Sequence, residues 1–164
     1  MNDIRRGAQP SLLDRLTDED PQRQADPPGV LGKSGLRAAV LRDLAWLMNT
    51  TRLGARETLE AWPEVECSVL NYGLPAFAGE TASTIDVKGL ERAIRRAILR
   101  FEPRILADTL EIDAIDQDGL PGWHNVVRIR ISGRIWAQPV PLEMMLCTEV
   151  DLETGQVSLS ETGA

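Results

Sequence analysis

One apolar stripe that ends at a proline constrains this chain more than any other feature. Its members recur every three or four residues, at Leu90, Ala93, Ile94, Ala97, Ile98 and Phe101. This spacing predicts one face of an α-helix. Pro103 ends the helix, because proline lacks the backbone donor and moves the preceding residue out of the helical conformation. The Glu102-Pro103-Arg104 turn is therefore predicted to hold two opposite charges in a set geometry, as a local ion pair or as a contact for another protein.

Beyond this helix the period of the pattern changes from 3.6 to two, which predicts β-strands. Apolar and polar residues alternate in four segments, near positions 110–115, 127–135, 142–150 and 157–159. Because short loops join them, we expect an antiparallel β-meander of about four strands. The predicted fold class is α+β, with two main helices packed on one face of the sheet.

The other main helix is predicted to begin at Ser34, its expected N-cap, and to run to about Asn49. Its predicted buried stripe is Leu36, Val40, Leu44 and Leu47, widened by Ala39 and Met48. Arg42, Asp43 and Trp46 lie off this stripe. Trp46, at the margin, either covers the edge of its own core or marks a contact surface. A short helical segment follows around positions 65–71 and is predicted to end at Gly73.

Residues 1–33 are predicted to form a flexible N-terminal arm, and residues 34–164 the folded domain. The arm holds four of the ten prolines in the chain. Its one apolar cluster is Leu12, Leu13 and Leu16, which is more than a spacer needs. We expect this cluster either to dock on a partner or to fold back on its own domain.

Charge excludes some classes of partner. The chain has 18 basic and 25 acidic residues, a net charge of −7, which is atypical of a nonspecific nucleic-acid binder. Positions 88–104 carry six basic and two acidic residues, so a basic helix lies on an acidic body. This face indicates either an acidic protein partner or a merely solvated surface. No apolar run reaches the roughly 20 residues of a membrane span, and we expect a soluble, cytoplasmic protein without direct membrane insertion.

Candidate catalytic groups are few. His124 is the one histidine, and no nucleophile motif accompanies it. Cys67 and Cys147 lack metal-ligand spacing and are expected to be small buried residues in a reducing compartment. Glu102 is the one acid in a constrained setting, but Arg104 would stabilise its ionised form, the opposite of what a general acid needs. We therefore predict no catalytic site, metal or cofactor, and keep a peptidoglycan hydrolase and a small regulatory binding module as alternatives.

Four segments, in this order along the chain, resemble the TssE family, whose members are baseplate wedge components of type VI secretion systems. That family is itself similar to the sheath-initiating wedge protein of contractile-tailed phages. These segments are SLLDRL at 11–16, RDLAWLMNT at 42–50, SVLNYGLP at 68–75 and FEPR at 101–104. The resemblance implies a structural protein that binds the wedge subunits TssF and TssG, with TssK as a further baseplate partner. It also implies a fold related to the strand-exchange domain of the sheath subunits TssB and TssC, which would let the protein template the first sheath ring.

The resemblance implies that the family's Glu-Pro-Arg motif, here Glu102, Pro103 and Arg104, contacts the other wedge subunits. We expect Glu102→Ala and Arg104→Ala to fold with little loss of stability but to lose wedge assembly. The full set of predicted partner-binding residues is Glu102, Pro103, Arg104, Arg42, Asp43, Trp46, Leu12, Leu13 and Leu16.

Overall fold

The computed structural model describes residues 11–16, 32–55, 58–76, 85–115 and 125–162. Within these ranges the helices are α1 (Leu12–Leu16), α2 (Lys33–Met48), α3 (Pro63–Glu66) and α4 (Val87–Phe101). The strands are β1 (Glu111–Ala114), β2 (Val126–Ile135), β3 (Leu142–Asp151) and β4 (Val157–Glu161).

The four strands form one antiparallel sheet in the order β1-β2-β3-β4, which confirms the predicted α+β class and the meander. On one face, α4 contacts β1, α2 contacts β4, and the two helices contact each other. The other face is polar: Arg128 lies opposite Glu149, with 2.8 Å between Nη2 and Oε1. The core lies between the helices and the first face, and its fully buried members include Leu44, Ile98, Ile129, Ile131 and Leu146.

Helix α2 buries the stripe that its sequence predicts: Leu36, Ala39, Val40, Leu44, Leu47 and Met48 are all buried. The predicted N-cap was wrong. The helix begins at Lys33, Gly32 is the N-cap, and no side chain caps it. Ser34 therefore lies in the first turn, where it is exposed.

Helix α4 ends before Pro103, as the pattern predicts. Asp86 caps it by accepting a hydrogen bond from the Gly89 amide at 2.8 Å. At the other end, the Glu102 amide donates the last helical bond to the Ile98 carbonyl at 2.9 Å. Glu102 itself has left the helical conformation, with φ −122° and ψ 74°, because Pro103 follows it.

Gly73 holds the segment after α3 against the end of α2. Its φ of +114° lies in the region that favours glycine. A Cβ atom here would lie 2.1 Å from the Thr50 carbonyl oxygen, which accepts a hydrogen bond from the Leu74 amide at 2.8 Å. The predicted single helical segment is in fact α3 followed by a separate 3₁₀ turn, Val69–Asn71.

The structure describes the two cysteines but not His124. Cys67 is exposed and Cys147 half-buried, so the prediction that both are buried was wrong; Cys67 follows α3 in a surface segment. His124 lies outside the described residues, as do residues 1–10 and 17–31 of the predicted arm. Among the residues that the structure does describe, no helix combines the length and the apolar character needed to span a membrane.

Candidate interaction site: a charged network that joins four segments

Glu102 and Arg104 form a paired charge at the end of α4. The Arg104 Nε donates to Glu102 Oε1 at 2.7 Å, and Arg104 Nη2 donates to Glu102 Oε2. The Arg104 backbone amide also donates to Oε1, at 3.2 Å. The Glu102 side chain is 3% exposed and that of Arg104 20% exposed. The carboxylate is therefore satisfied within its own chain, and only the guanidinium reaches the surface.

The pair continues into α2 through Asp43. Arg104 Nη2 lies 2.5 Å from Asp43 Oδ2. The other oxygen, Oδ1, accepts hydrogen bonds from Arg42 at 3.0 Å for Nε and 2.8 Å for Nη2. Arg42 and Asp43 are adjacent in sequence and off the buried stripe of α2, so both can turn toward the end of α4.

Arg42 carries the network on to α1. Its Nη1 donates to Asp14 Oδ1, while Asp14 Oδ2 accepts from the amide and hydroxyl of Ser11 at 3.1 and 2.7 Å. The Asp14 amide donates back to Ser11 Oγ at 3.2 Å, a reciprocal arrangement that starts the short helix. The cluster of leucines therefore lies on a segment that folds back on its own domain.

The electrostatics favour the charged forms of Asp14, Arg42 and Arg104. Hydrogen bonding to Arg42 is the main cause that lowers the pKa of Asp14 to about 2, against the opposing effect of burial. The hydrogen bond to Asp14 is likewise the main cause that raises the pKa of Arg42. Burial opposes the charge on Arg104, but Glu102 and Asp43 together outweigh it and raise the pKa of Arg104 above its ordinary value.

Two further contacts fix the network to the core. The Tyr72 hydroxyl donates to the Asp43 backbone carbonyl at 3.3 Å, and its ring packs edge-on against Phe101 with 5.1 Å between centroids. The carbonyl of Arg104 accepts a hydrogen bond from the Trp136 amide at 2.7 Å. All four sequence segments that were singled out therefore meet here, at the junction of α1, α2, α4 and the end of β2.

Exposed apolar side chains accompany the network. Trp46 is 49% exposed, and the Arg42 guanidinium carbon lies 5.1 Å from the centre of a Trp46 ring, a cation–π contact. Leu12 and Leu16 on α1 are 70% and 74% exposed, and Pro103 is also exposed. The side chain of Leu13 lies outside the described part. Of the predicted partner-binding residues with described side chains, Glu102 alone is buried.

The burial of Glu102 revises one expectation from the sequence. An ion pair that is largely removed from water leaves an uncompensated charge when one partner is lost, which destabilises the fold. We therefore no longer expect Glu102→Ala or Arg104→Ala to leave stability nearly unchanged. Glu102 holds the Arg104 guanidinium through both of its carboxylate oxygens.

Sequence reasoning missed the parts of the network that depend on tertiary contacts. Asp14 and Tyr72 lay inside the quoted segments without an assigned role. A signal for Asp14 existed, because Ser and Asp three residues apart are typical of a helix start.

The arrangement is poorly suited to acid–base chemistry. Both oxygens of Glu102 accept hydrogen bonds from a guanidinium, whereas a general acid needs a proton to give away. Among the described residues, no group of three or more His, Cys, Asp or Glu side chains could hold a metal ion. What the geometry does provide is a rigid, charged surface with apolar side chains beside it.

Comparison with protein families showed which family this part of the chain matches. The family described as "Baseplate wedge protein gp25" matches residues 34–140. The matched range contains α2 except its first residue, α4, the Glu102-Pro103-Arg104 turn and the first two strands. Comparisons with curated proteins and with solved structures gave no significant match.

Proposed function

Because this chain belongs to the baseplate wedge protein gp25 family, and is thus a structural part of a baseplate wedge, we propose that it is the TssE-type component of a type VI secretion baseplate. In this role it binds TssF and TssG, and it templates the first ring of TssB and TssC sheath subunits. TssK is a further candidate partner. The protein works on the cytoplasmic side of the inner membrane.

The observation that carries the proposal is the surface formed by the charged network and its exposed apolar neighbours. Trp46, Leu12 and Leu16 project from two different helices that Arg42 and Asp14 tie together. Tryptophan and arginine are the residue types most enriched among those that dominate binding energy at protein interfaces. A satisfied charge network beneath such side chains holds them rigid, which lowers the entropic cost of binding.

The Glu-Pro-Arg turn has two roles in this proposal. Glu102 holds the Arg104 guanidinium and is itself buried. Arg104 and Arg42 reach the surface with their hydrogen bonds already oriented, and an acidic group of a wedge subunit could approach their exposed edges. We propose that loss of Glu102 weakens binding indirectly, through the position of Arg104.

Sheath templating needs a different surface. A sheet whose edge strand has unpaired backbone groups can accept a strand from another protein. The meander has two edge strands, β1 and β4, and neither contributes a residue to the charged network. Wedge binding and sheath binding are therefore separable by mutation.

Exposed residues give the clearest test, because their replacement costs little stability. We expect Trp46→Ala and the double variant Leu12→Ala/Leu16→Ala to melt within a few degrees of the wild type and to weaken co-purification with TssF and TssG at least tenfold. Met145→Ala is the matched control, since Met145 is also exposed and apolar but lies on the uncovered face of the sheet.

Three results would each count against a different part of the proposal. Retention of TssF and TssG by both variants would show that this surface is not the wedge contact. Failure of the wild type to co-purify with either subunit would contradict the TssE-type assignment. Release of sugar fragments from purified cell wall would favour a peptidoglycan hydrolase, and its loss in His124→Ala would identify a catalytic group.

A further inference from the structure

The two edges of the sheet differ in how many of their outward backbone groups are free. In an antiparallel pair, alternate residues direct their N–H and C=O groups toward the neighbouring strand and away from it. On the β1 side, the Ile115 amide donates a hydrogen bond to the Arg128 carbonyl at 2.8 Å, so Ile115 directs its backbone groups toward β2. Leu110, Ile112 and Ala114 therefore direct their backbone groups outward.

Side chains of α4 close the β1 edge. The Ala114 amide donates to Glu91 Oε1 at 2.8 Å, and Arg95 Nη1 donates to the Leu110 carbonyl at 2.5 Å. Glu91 is buried, and its second oxygen accepts from Lys88 Nζ at 2.8 Å. The two capped positions flank Ile112, so an incoming strand would have to displace side chains of α4 to pair with more than one residue.

The β4 edge is closed at one end only. Two hydrogen bonds show which residues on this side face β3: the Asp151 amide donates to the Gln156 carbonyl at 2.9 Å, and the Thr162 amide donates to the Met145 carbonyl at 3.1 Å. Gln156 and Thr162 therefore direct their backbone groups toward β3. Val157, Leu159 and Glu161 therefore direct their backbone groups outward.

At the start of β4, the carboxamide of Asn49 takes the place of a neighbouring strand. Its Nδ2 donates to the Val157 carbonyl at 2.8 Å, and its Oδ1 accepts from the Val157 amide at 3.0 Å. Within the described residues, the backbone groups of Leu159 and Glu161 have no such partner. The ion pair between Arg37 and Glu161 involves the Glu161 side chain and not its backbone.

We propose that β4 is the acceptor edge of this protein, and that Asn49 sets the register in which a partner strand adds. The partner segment pairs with Leu159 and Glu161 and stops before Val157, where the Asn49 carboxamide already occupies the pairing position. This inference rests on the proposed function, in which the segment is an extended strand of a sheath subunit.

The surroundings of the edge define the chemistry of that segment. Leu159 is half-buried on the side that the helices cover, whereas Ser158 and Ser160 are exposed on the open side. A strand beside β4 continues this alternation. The partner segment therefore has an apolar residue facing the helix side at the level of Leu159, with polar residues on either side of it.

A proline at Glu161 tests the edge directly. The Glu161 amide is outside the β3–β4 ladder, so Glu161→Pro removes no hydrogen bond within the sheet. It does remove a donor that an added strand needs. Glu161→Ala is the matched control, because it loses the same contact with Arg37 but keeps the amide.

The probe is a purified complex of TssB and TssC, titrated against each variant with the melting temperature recorded in parallel. We expect Glu161→Pro to bind about tenfold or more weakly than Glu161→Ala. Equal affinities of the two variants would overturn the assignment of β4 as the acceptor edge. If the wild type still bound the probe, the proposal of sheath templating would stand. A wild type that fails to bind the probe would overturn this inference and sheath templating together, and TssF and TssG binding would still be measured separately.

Amide hydrogen exchange on the wild type gives a second test that does not depend on the folding of any variant. We expect the amides of Leu159 and Glu161 to gain protection when the probe binds, and that of Ile112 to remain unchanged. Protection at Ile112 without protection at Leu159 would place the added strand on β1 and overturn the inference.

Discussion

Removing the charge of Arg104 should cost far more stability than removing that of Arg42, although both belong to one network. Arg104→Met keeps much of the apolar stem but leaves the Glu102 carboxylate, which is 3% exposed, without its cation. Breaking a buried ion pair in this way costs about 3–5 kcal/mol. Arg42 is 33% exposed, and loss of exposed ion pairs costs at most about 1 kcal/mol. Arg42→Met is therefore the matched control.

The expected difference is large on the scale of protein stability. Domains unfold with about 5–15 kcal/mol, so Arg104→Met should remove a substantial share of the total. For a domain of this size, about 2–4 °C of melting temperature corresponds to each kcal/mol. We expect a fall of roughly 6–20 °C for Arg104→Met, and only a few degrees for Arg42→Met.

A double-mutant cycle with Glu102→Gln separates the ion pair from the packing of the stems. The double variant Glu102→Gln/Arg104→Met buries no charge at either position, so its free energy of unfolding should exceed that of Arg104→Met alone. Urea unfolding of the four proteins measures each step. Two results would refute a buried ion pair between Glu102 and Arg104. One is a loss of stability in Arg104→Met no greater than in Arg42→Met. The other is simple additivity of the effects of Glu102→Gln and Arg104→Met in the double variant.

Two further predictions concern backbone geometry and pH. Gly73→Ala should destabilise the fold by more than about 2 kcal/mol, because the new Cβ would meet the Thr50 carbonyl oxygen; Gly32→Ala, whose Cβ meets nothing within 4 Å, should lose at most about 1 kcal/mol, the cost of alanine at an N-cap, and a similar loss in both would contradict this account. Arg42 lowers the pKa of Asp14 from 3.8 to about 2, and solvent screening limits the resulting stabilisation to at most about 1 kcal/mol; it is complete above the ordinary pKa and lost as pH falls through the folded one. Urea unfolding should therefore distinguish Asp14→Asn from the wild type at pH 6 but not near pH 2, and a difference that persists at pH 2 would refute the linkage.

The sequence predicted the elements of the fold well because their burial follows local periodicity. The buried stripe of α2 and the end of α4 at Phe101 both come from side-chain spacing and from Pro103. Glu91 shows the limit of such reasoning. Its position on α4 marks it as a solvated acid among cations, yet it is buried because the Ala114 amide of β1 needs an acceptor there.

The site was predicted in its parts but not in its connections. The constrained Glu102-Pro103-Arg104 turn could be recognised from one proline. That Arg104 reaches Asp43, 61 positions earlier in the sequence, follows only from how α4 packs beside α2. The docking of α1 through Asp14 depends in the same way on a residue 28 positions away. No local pattern encodes such distances.

The clamp between Asn49 and Val157 also has a consequence for how the protein is made. Its two residues are 108 positions apart, and a ribosome that adds about 5–20 residues per second completes α2 roughly 5–20 s before it completes β4. Contacts between such distant positions form slowly, so β4 joins the sheet after the elements that precede it. In the sheet that the structure describes, the acceptor edge is thus the last part to form, and it forms only once the strands before it have been made.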